Sequence, residues 1–245
     1  MKYYYSKFDI NKLTTGYLFP QCQDYTPGNS CDIIERLFWA ERERNASNFP
    51  EVDVIVDGLK LHGHAKFSDV LSCAMIDDPQ LLVSEKFLEI ITKYNLPKHN
   101  IHKVYVYGRK GEKREYNIFY RTEINEIVQF VDLENSVFKT TQGLPTLYKD
   151  PVLSEIFKCN SFSEFMKRRE RPPKGLEASD FFHVDCIELY LRNLSESGYD
   201  MINLEDLTSE SMYGYLYSEP LVNELLENNI TGLKFIPASK FIVSD

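Results

Sequence analysis

The chain has five cysteines, and no two of them stand in C-x-x-C spacing. An odd count without that spacing argues against a disulfide framework and excludes a zinc ribbon. Cys22, Cys31, Cys73, Cys159 and Cys186 read most simply as reduced thiols of a cytoplasmic protein. There is no run approaching about 18 consecutive apolar residues, the length a membrane-spanning helix needs. Met1-Lys2-Tyr3-Tyr4-Tyr5-Ser6-Lys7 lacks the apolar core of a signal peptide. Positive charge is scarce: 28 Lys and Arg against 37 Asp and Glu give a net charge of −9. That balance argues against binding nucleic acid through phosphate neutralisation. The catalytic signatures G-x-S-x-G, Walker A, G-x-G-x-x-G and H-E-x-x-H are all missing.

What the chain does have is aromatics. Sixteen Tyr and sixteen Phe in 245 residues, with 43% hydrophobic residues, favour strands and a sizeable core. It also uses one pattern twice. Leu81-Leu82-Val83 precedes Ser84-Glu85, and Tyr215-Leu216-Tyr217 precedes Ser218-Glu219. An amphipathic stretch follows each, then a break, then a strand-like run: Val104-Tyr105-Val106-Tyr107 and Leu233-Lys234-Phe235-Ile236. Ser84 and Ser218 suit helix N-caps, with an acid in the first turn where the helix dipole favours it. Phe87, Leu88, Ile91 and Tyr94 recur at helical spacing. In the second copy Pro220 sits in the first turn, and Leu221, Leu225 and Leu226 form the expected apolar face.

Elsewhere the first fifty residues read as irregular, with a short helix over residues 32–44. Residues 52–61 predict a hairpin turning at Asp57-Gly58. A short helix is expected over 67–74 and another over 161–169, capped by Ser161. A hairpin is expected across Gly108–Gly111, and further strands over 127–133 and 137–141. Residues 181–194 carry apolar side chains at 182, 186, 187, 190, 191 and 194, the spacing of a helix with a wide buried face. The fold expected is α+β, with mixed, mainly antiparallel sheets and short helices. It divides near Gly143-Leu144-Pro145 into interlocked halves, 1–143 and 144–245, each with one strand–helix–strand unit.

Charge is uneven. Residues 177–227 hold twelve acids and one base, Arg192, just after the basic run Lys167-Arg168-Arg169-Glu170-Arg171-Pro172-Pro173-Lys174. An acidic surface of this kind can be a solvated face or a docking surface for a cationic partner. His62 and His64 would face one side of a strand, but no third ligand has recognisable spacing and Gly63 suggests a turn, so no metal is expected. Cys186 stands three residues from His183 and is as easily a core cysteine.

The Ser-Glu units resemble a family of bacterial polymorphic-toxin immunity proteins, immunity protein family eleven, formerly a bacterial domain of unknown function. The resemblance is carried by Lys66-Phe67-Ser68-Asp69-Val70-Leu71, by Leu82-Val83-Ser84-Glu85-Lys86-Phe87 and by Tyr94-Asn95-Leu96-Pro97. It continues in residues 127–138 and in Ser218-Glu219-Pro220-Leu221 through Ile230-Thr231-Gly232-Leu233-Lys234-Phe235. It spans roughly residues 50–240. It implies a cytoplasmic, non-enzymatic protein that binds and neutralises a cognate protein toxin, with no cofactor and no catalytic residues. The acidic second half suggests a basic toxin, met by Glu196, Asp200, Glu205, Asp206 and Glu210, with Tyr199 and Tyr213 as aromatic anchors. Two alternatives stay open: a hydrolase using carboxylates from 177–227, and a non-catalytic adaptor module.

Overall fold

The computed structural model describes residues 2–16, 20–25, 56–73, 81–121, 128–142, 154–170, 182–193, 197–203, 215–238 and 241–244. The expected helix over 32–44, the Gly143–Pro145 boundary and the loop at 172–175 lie outside them. Among the described residues, three sheets and three α-helices make an α+β fold in which antiparallel pairing predominates.

The first sheet is built around strict alternation. Strands β1 (Tyr3–Phe8), β11 (Met201–Asn203), β12 (Tyr215–Ser218) and β13 (Leu233–Pro237) lie in the order β11-β12-β1-β13, each antiparallel to its neighbour. Tyr4 pairs with Tyr217 and Tyr5 with Leu216. Successive residues point to opposite faces. So Tyr4, Tyr217, Tyr215 and Met201 join one core, while Tyr3, Tyr5, Leu216 and Ile202 join another. The first residues of the chain are therefore not irregular, as the sequence suggested; β1 is an interior strand of a sheet buried on both faces.

The second sheet takes β2 (Cys22–Tyr25), β3 (Val56–Leu61), β4 (Val70–Leu71), β5 (Leu81–Val83), β6 (His99–Tyr107) and β7 (Lys113–Arg121), ordered β2-β3-β6-β7-β5-β4. The expected β6–β7 hairpin is present, with longer arms. Two expectations fail here. Asp57-Gly58 does not turn: β3 runs straight through it, parallel to β6, and Gly58 is the extra residue of a bulge at φ +122°. Residues 67–73 form no helix but an extended approach and β4.

The two edges of this sheet meet. The Cys22 N–H donates to the Ser72 carbonyl at 2.9 Å, and Cys22 forms a parallel bridge with Cys73. Gln21, 1% exposed, fastens the seam. Its N–H donates to Ser72 Oγ (2.9 Å), its Nε2 to the Lys66 carbonyl (2.8 Å) and Ser68 Oγ (3.1 Å), and its Oε1 accepts from the Ser72 N–H (3.2 Å). A buried amide satisfied on every side is stabilising where an unsatisfied one would be costly. The sheet thus closes on itself as a small ring packed with Cys22, Leu59, Leu71, Leu82, Val104 and Val106, so neither edge is left open there.

The third sheet orders β14 (Phe241–Ser244), β10 (Phe182–Arg192), β8 (Val131–Gln142) and β9 (Ser154–Phe157). Here the sequence misled most. Residues 181–194 form no helix; 182–192 are strand β10. Val184 and Cys186 are buried on one face, and after the register shifts around Glu188 the buried residues become Leu189 and Leu191. A bulge adds one residue to a period of two, and the resulting step of three imitates helical spacing. The two strands expected over 127–133 and 137–141 are one strand preceded by a 3₁₀ turn at Val128–Phe130. The apparent break is a loop-out in which Ser136 Oγ donates to the Asp132 carbonyl (2.6 Å) and accepts from the Tyr190 N–H (3.1 Å).

Helix α1 (Glu85–Ile91) and helix α3 (Glu219–Glu227) pack in the core shared by the first two sheets, beside Phe119 and Tyr215. Helix α2 (Phe162–Glu170), capped by Ser161 as expected, covers the third sheet with Phe165. On α3 the buried face is Leu221, Val222 and Leu225; Leu226, expected to be buried, is 57% exposed. No helix among the described residues is long and apolar enough to cross a membrane.

Candidate functional site

The two Ser-Glu motifs form one device built twice. Ser84 Oγ accepts from the Phe87 N–H (3.2 Å), and Ser218 Oγ from the Leu221 N–H (3.4 Å). Each serine is held by an aspartate upstream. The Ser84 hydroxyl donates to Asp69 Oδ1 at 3.0 Å, and the Ser218 hydroxyl to Asp200 Oδ1 at 2.6 Å. Their backbone N–H groups donate to the carbonyls of the same aspartates, at 2.7 and 2.8 Å.

The remaining carboxylate oxygens cross over. Asp69 Oδ2 accepts from the Thr231 N–H (2.8 Å) and hydroxyl (2.7 Å), just past the end of α3. Asp200 Oδ2 accepts from the Asn95 N–H (3.1 Å), just past the end of α1. The Asp200 N–H donates to the Asn95 carbonyl (2.9 Å), and the Val70 N–H to the Thr231 carbonyl (3.0 Å). Each unit therefore caps its own helix and ties down the exit of the other's. Where the acceptor is a carboxylate oxygen of Asp69 or Asp200, the bond is stronger than one to a neutral acceptor.

This settles what Asp200 does inside the fold: its carboxylate is engaged by the Ser218 hydroxyl and the Asn95 amide. Tyr199 is half-buried. Its ring stands edge-on to Phe130 at 6.5 Å and its carbonyl accepts from the Tyr3 hydroxyl at 3.2 Å. Glu196, Glu205, Asp206, Glu210 and Tyr213 lie outside the described residues. Asp69 carried no role in the sequence reading. The signal that would have found it is the match between Asp69-Val70-Leu71 and Asp200-Met201-Ile202, an aspartate before an apolar pair in both copies.

Other acids of the 177–227 stretch are also partnered from outside it. Glu219 faces Lys2 (3.7 Å) and accepts from the Tyr4 hydroxyl (3.5 Å). Glu224 accepts from Lys93 Nζ (2.7 Å) and the Tyr94 hydroxyl (2.6 Å). Lys93 first and Tyr94 second hold its carboxyl below the usual carboxylate range. In return, burial and then Glu224 push the Tyr94 phenol up to about 12. In the basic run, Arg168 pairs with Glu155 at 3.0 Å and lies 5.3 Å over Phe157.

His62 and His64 are exposed, and Gly63 between them sits at φ +54° in the expected turn. The His99 ring packs 4.8 Å from Phe119, and His102 is buried. Among the described residues no three His, Cys, Asp or Glu side chains are grouped closely enough to hold a metal ion.

The exterior of the β6–β7 hairpin is different in kind. Tyr105 and Tyr107 stand half-buried on one face of β6. Lys113 Nζ lies 3.8 Å over the Tyr105 ring and 5.3 Å from that of Tyr107, and pairs with Asp57 at 3.2 Å. The contact with Tyr107 and then Asp57 holds the Lys113 ammonium above its usual range. Lys103 pairs with Glu115 at 2.7 Å, and Ile101, 38% exposed, extends the same face. Two rings, an apolar side chain and fixed charges on a hairpin of two fully paired nine-residue strands form a pre-ordered surface suited to contact with another macromolecule.

No family model matches this chain, and no curated protein matches it.

Proposed function

We propose that the chain is a bacterial immunity protein that binds and neutralises a cognate protein toxin in the cytoplasm by surface complementarity, without chemistry of its own. The observation that carries this reading is the Tyr105–Tyr107–Lys113 face. Tyrosine buries a large amphipathic area at low entropic cost, and a lysine already stacked on it loses little freedom when covered. The motif resemblance of the two Ser-Glu units supports the same reading. Glu196, Glu205, Asp206, Glu210 and Tyr213 remain the candidate acidic and aromatic contacts for a basic toxin. Asp200 and Tyr199 belong to the same candidate set. The hydrolase alternative calls for a pair of available carboxylates; among the described acids of that stretch, Asp200, Glu219 and Glu224 are each engaged by a neighbour.

The test is to look for a large toxin-like gene immediately upstream in the genome and to co-express this chain with that neighbouring product, scored by colony counts. The wild type is expected to restore growth and to co-purify with the toxin as a stoichiometric complex. The pair Tyr105→Ala and Tyr107→Ala should lower survival about 100-fold, the effect of losing about 3 kcal/mol of hot-spot binding. Full protection by that double variant would remove the hairpin from the interface. Failure of the wild-type chain to protect against or bind the neighbouring product would sink the immunity reading itself.

A further inference from the structure

The seam of the second sheet carries a pair of thiols that the recognition reading does not use. Cys22 is fully buried on β2, and Cys73 is half-exposed just past β4. They are direct partners in a parallel bridge. Neighbouring strands run about 4.8 Å apart, inside the Cα separation that a disulfide spans. Both side chains are presented by backbone that is already fixed. The Cys22 N–H is bound to Ser72, and the Gln21 side chain grips Ser72, Ser68 and Lys66.

We propose that Cys22 and Cys73 are a redox pair that staples the ring shut, formed by exchange with a low-molecular-weight disulfide. The order of events follows from burial. The neighbouring Cys73 sulfur and then burial hold the Cys22 thiol well above its usual range, so it is a poor first nucleophile. Cys73 is the thiol that a small disulfide can reach. Its thiolate attacks one sulfur of R–S–S–R; a Cys73–S–S–R bond forms, the original S–S bond breaks, and one thiolate leaves and takes up the proton Cys73 released. Cys22 then attacks the Cys73 sulfur, the mixed disulfide breaks, and the second R–S⁻ leaves with the Cys22 proton. Two protein thiols are oxidised and one small disulfide is reduced to two thiols.

The closed seam explains why the pair matters. Reduced, the ring is joined at this point by backbone and Gln21 hydrogen bonds; oxidised, a covalent bond spans the same gap. Cys159, whose thiol burial pushes up to about 11, is a slow competitor and an internal reference.

The experiment equilibrates the full-length protein with oxidised and reduced glutathione, quenches with acid, and maps disulfides by non-reducing mass spectrometry, in native buffer and in denaturant. The expected result is a linked Cys22–Cys73 peptide, favoured on the order of 100-fold or more over the same pair in the denatured chain, with a melting temperature several degrees above the reduced form. Cys73→Ser, at a half-exposed position, should abolish both the link and the shift. The proposal is overturned if Cys73 stops at the glutathione mixed disulfide while Cys22 remains alkylatable. It is equally overturned if either pairs with Cys31 instead, or if native and denatured chains show the same equilibrium. The wild-type map decides the matter even if the serine variant does not fold.

Discussion

The two Ser-Glu units share a local plan and differ in how they are completed. In each, an aspartate opens a short strand, an antiparallel strand follows, and a serine caps a helix whose exit leads to the next strand. The sheet orders match as well: β4-β5-β7-β6 in one, β11-β12-β1-β13 in the other. The strand in the third place differs in origin. In the first unit it is β7, reached from β6 by a tight hairpin. In the second it is β1, from the far end of the chain, while β13 runs on to β14 in another sheet. The first unit can therefore complete its sheet from local sequence, and the second cannot form without long-range pairing. Loop-closure entropy makes such pairing the slower event. Geometry that is reproduced despite different connectivity is dictated by the capping device and the apolar alternation, not by the order of the chain.

The sharpest break in the symmetry is at the exit of the second helix. Gly232 sits at φ +99°, and a Cβ there would run into the Val70 carbonyl oxygen. The position in register in the first unit is Lys98, which is exposed. Gly232→Ala is expected to cost on the order of 3 kcal/mol in chemical denaturation, from backbone strain and overpacking together. Lys98→Ala should cost under about 0.5 kcal/mol. Equal effects would mean that the crossing contact is no tighter on one side than on the other.

The serines give the next contrast. Ser218 is fully buried and Ser84 half-buried, and the Ser218 hydroxyl makes the shorter bond to its aspartate. Ser218→Ala should destabilise by about 2 kcal/mol and Ser84→Ala by about 1 kcal/mol, the span of N-cap substitutions. The reverse order would show that burial of the cap is not what sets its worth.

The smallest effect belongs to the bridge between the helices. The folded Glu224 carboxyl titrates below its unfolded value. As pH falls, the unfolded chain takes up the proton first. The bridge's contribution is thus present above the ordinary carboxylate value of about 4.3 and is lost as pH drops through the folded value. Glu224→Gln should lower the neutral plateau of a urea-midpoint curve by only a small amount, because the pair is solvent-exposed and screened, and should leave the most acidic end of the curve unchanged.

How much of this was legible depends on whether the signal is local. Both serine caps, the apolar rows of α1 and α3, the β6–β7 hairpin and the Ser161 cap follow from residues within one or two turns, and the α+β character follows with them. Strand β10 was misread because its bulges at Glu188 turn a two-residue period into an apparent helical one. The place of β1 was invisible because its partners, Tyr217 and Phe235, lie more than 200 residues away. The seam was invisible for a similar reason: Gln21 looks like an ordinary polar residue until Ser72 is brought beside it. That a serine and an amide claim Asp200 is invisible in the sequence, where it is one acid among acids. Its relation to Asp69 needed the two copies to be compared upstream of their serines.

Amide hydrogen exchange on Asp69→Ala and Asp200→Ala tests most directly whether each unit holds the other's helix exit. Relative to amides in the β6–β7 hairpin, Asp69→Ala should speed exchange at Thr231 at least tenfold and leave Asn95 protected, and Asp200→Ala should do the opposite. Each tenfold step corresponds to about 1.4 kcal/mol of lost local protection, within the range for a hydrogen bond to a charged group. Acceleration confined to the unit that carries the substitution, with the opposite helix exit unchanged, would contradict the reciprocal latch.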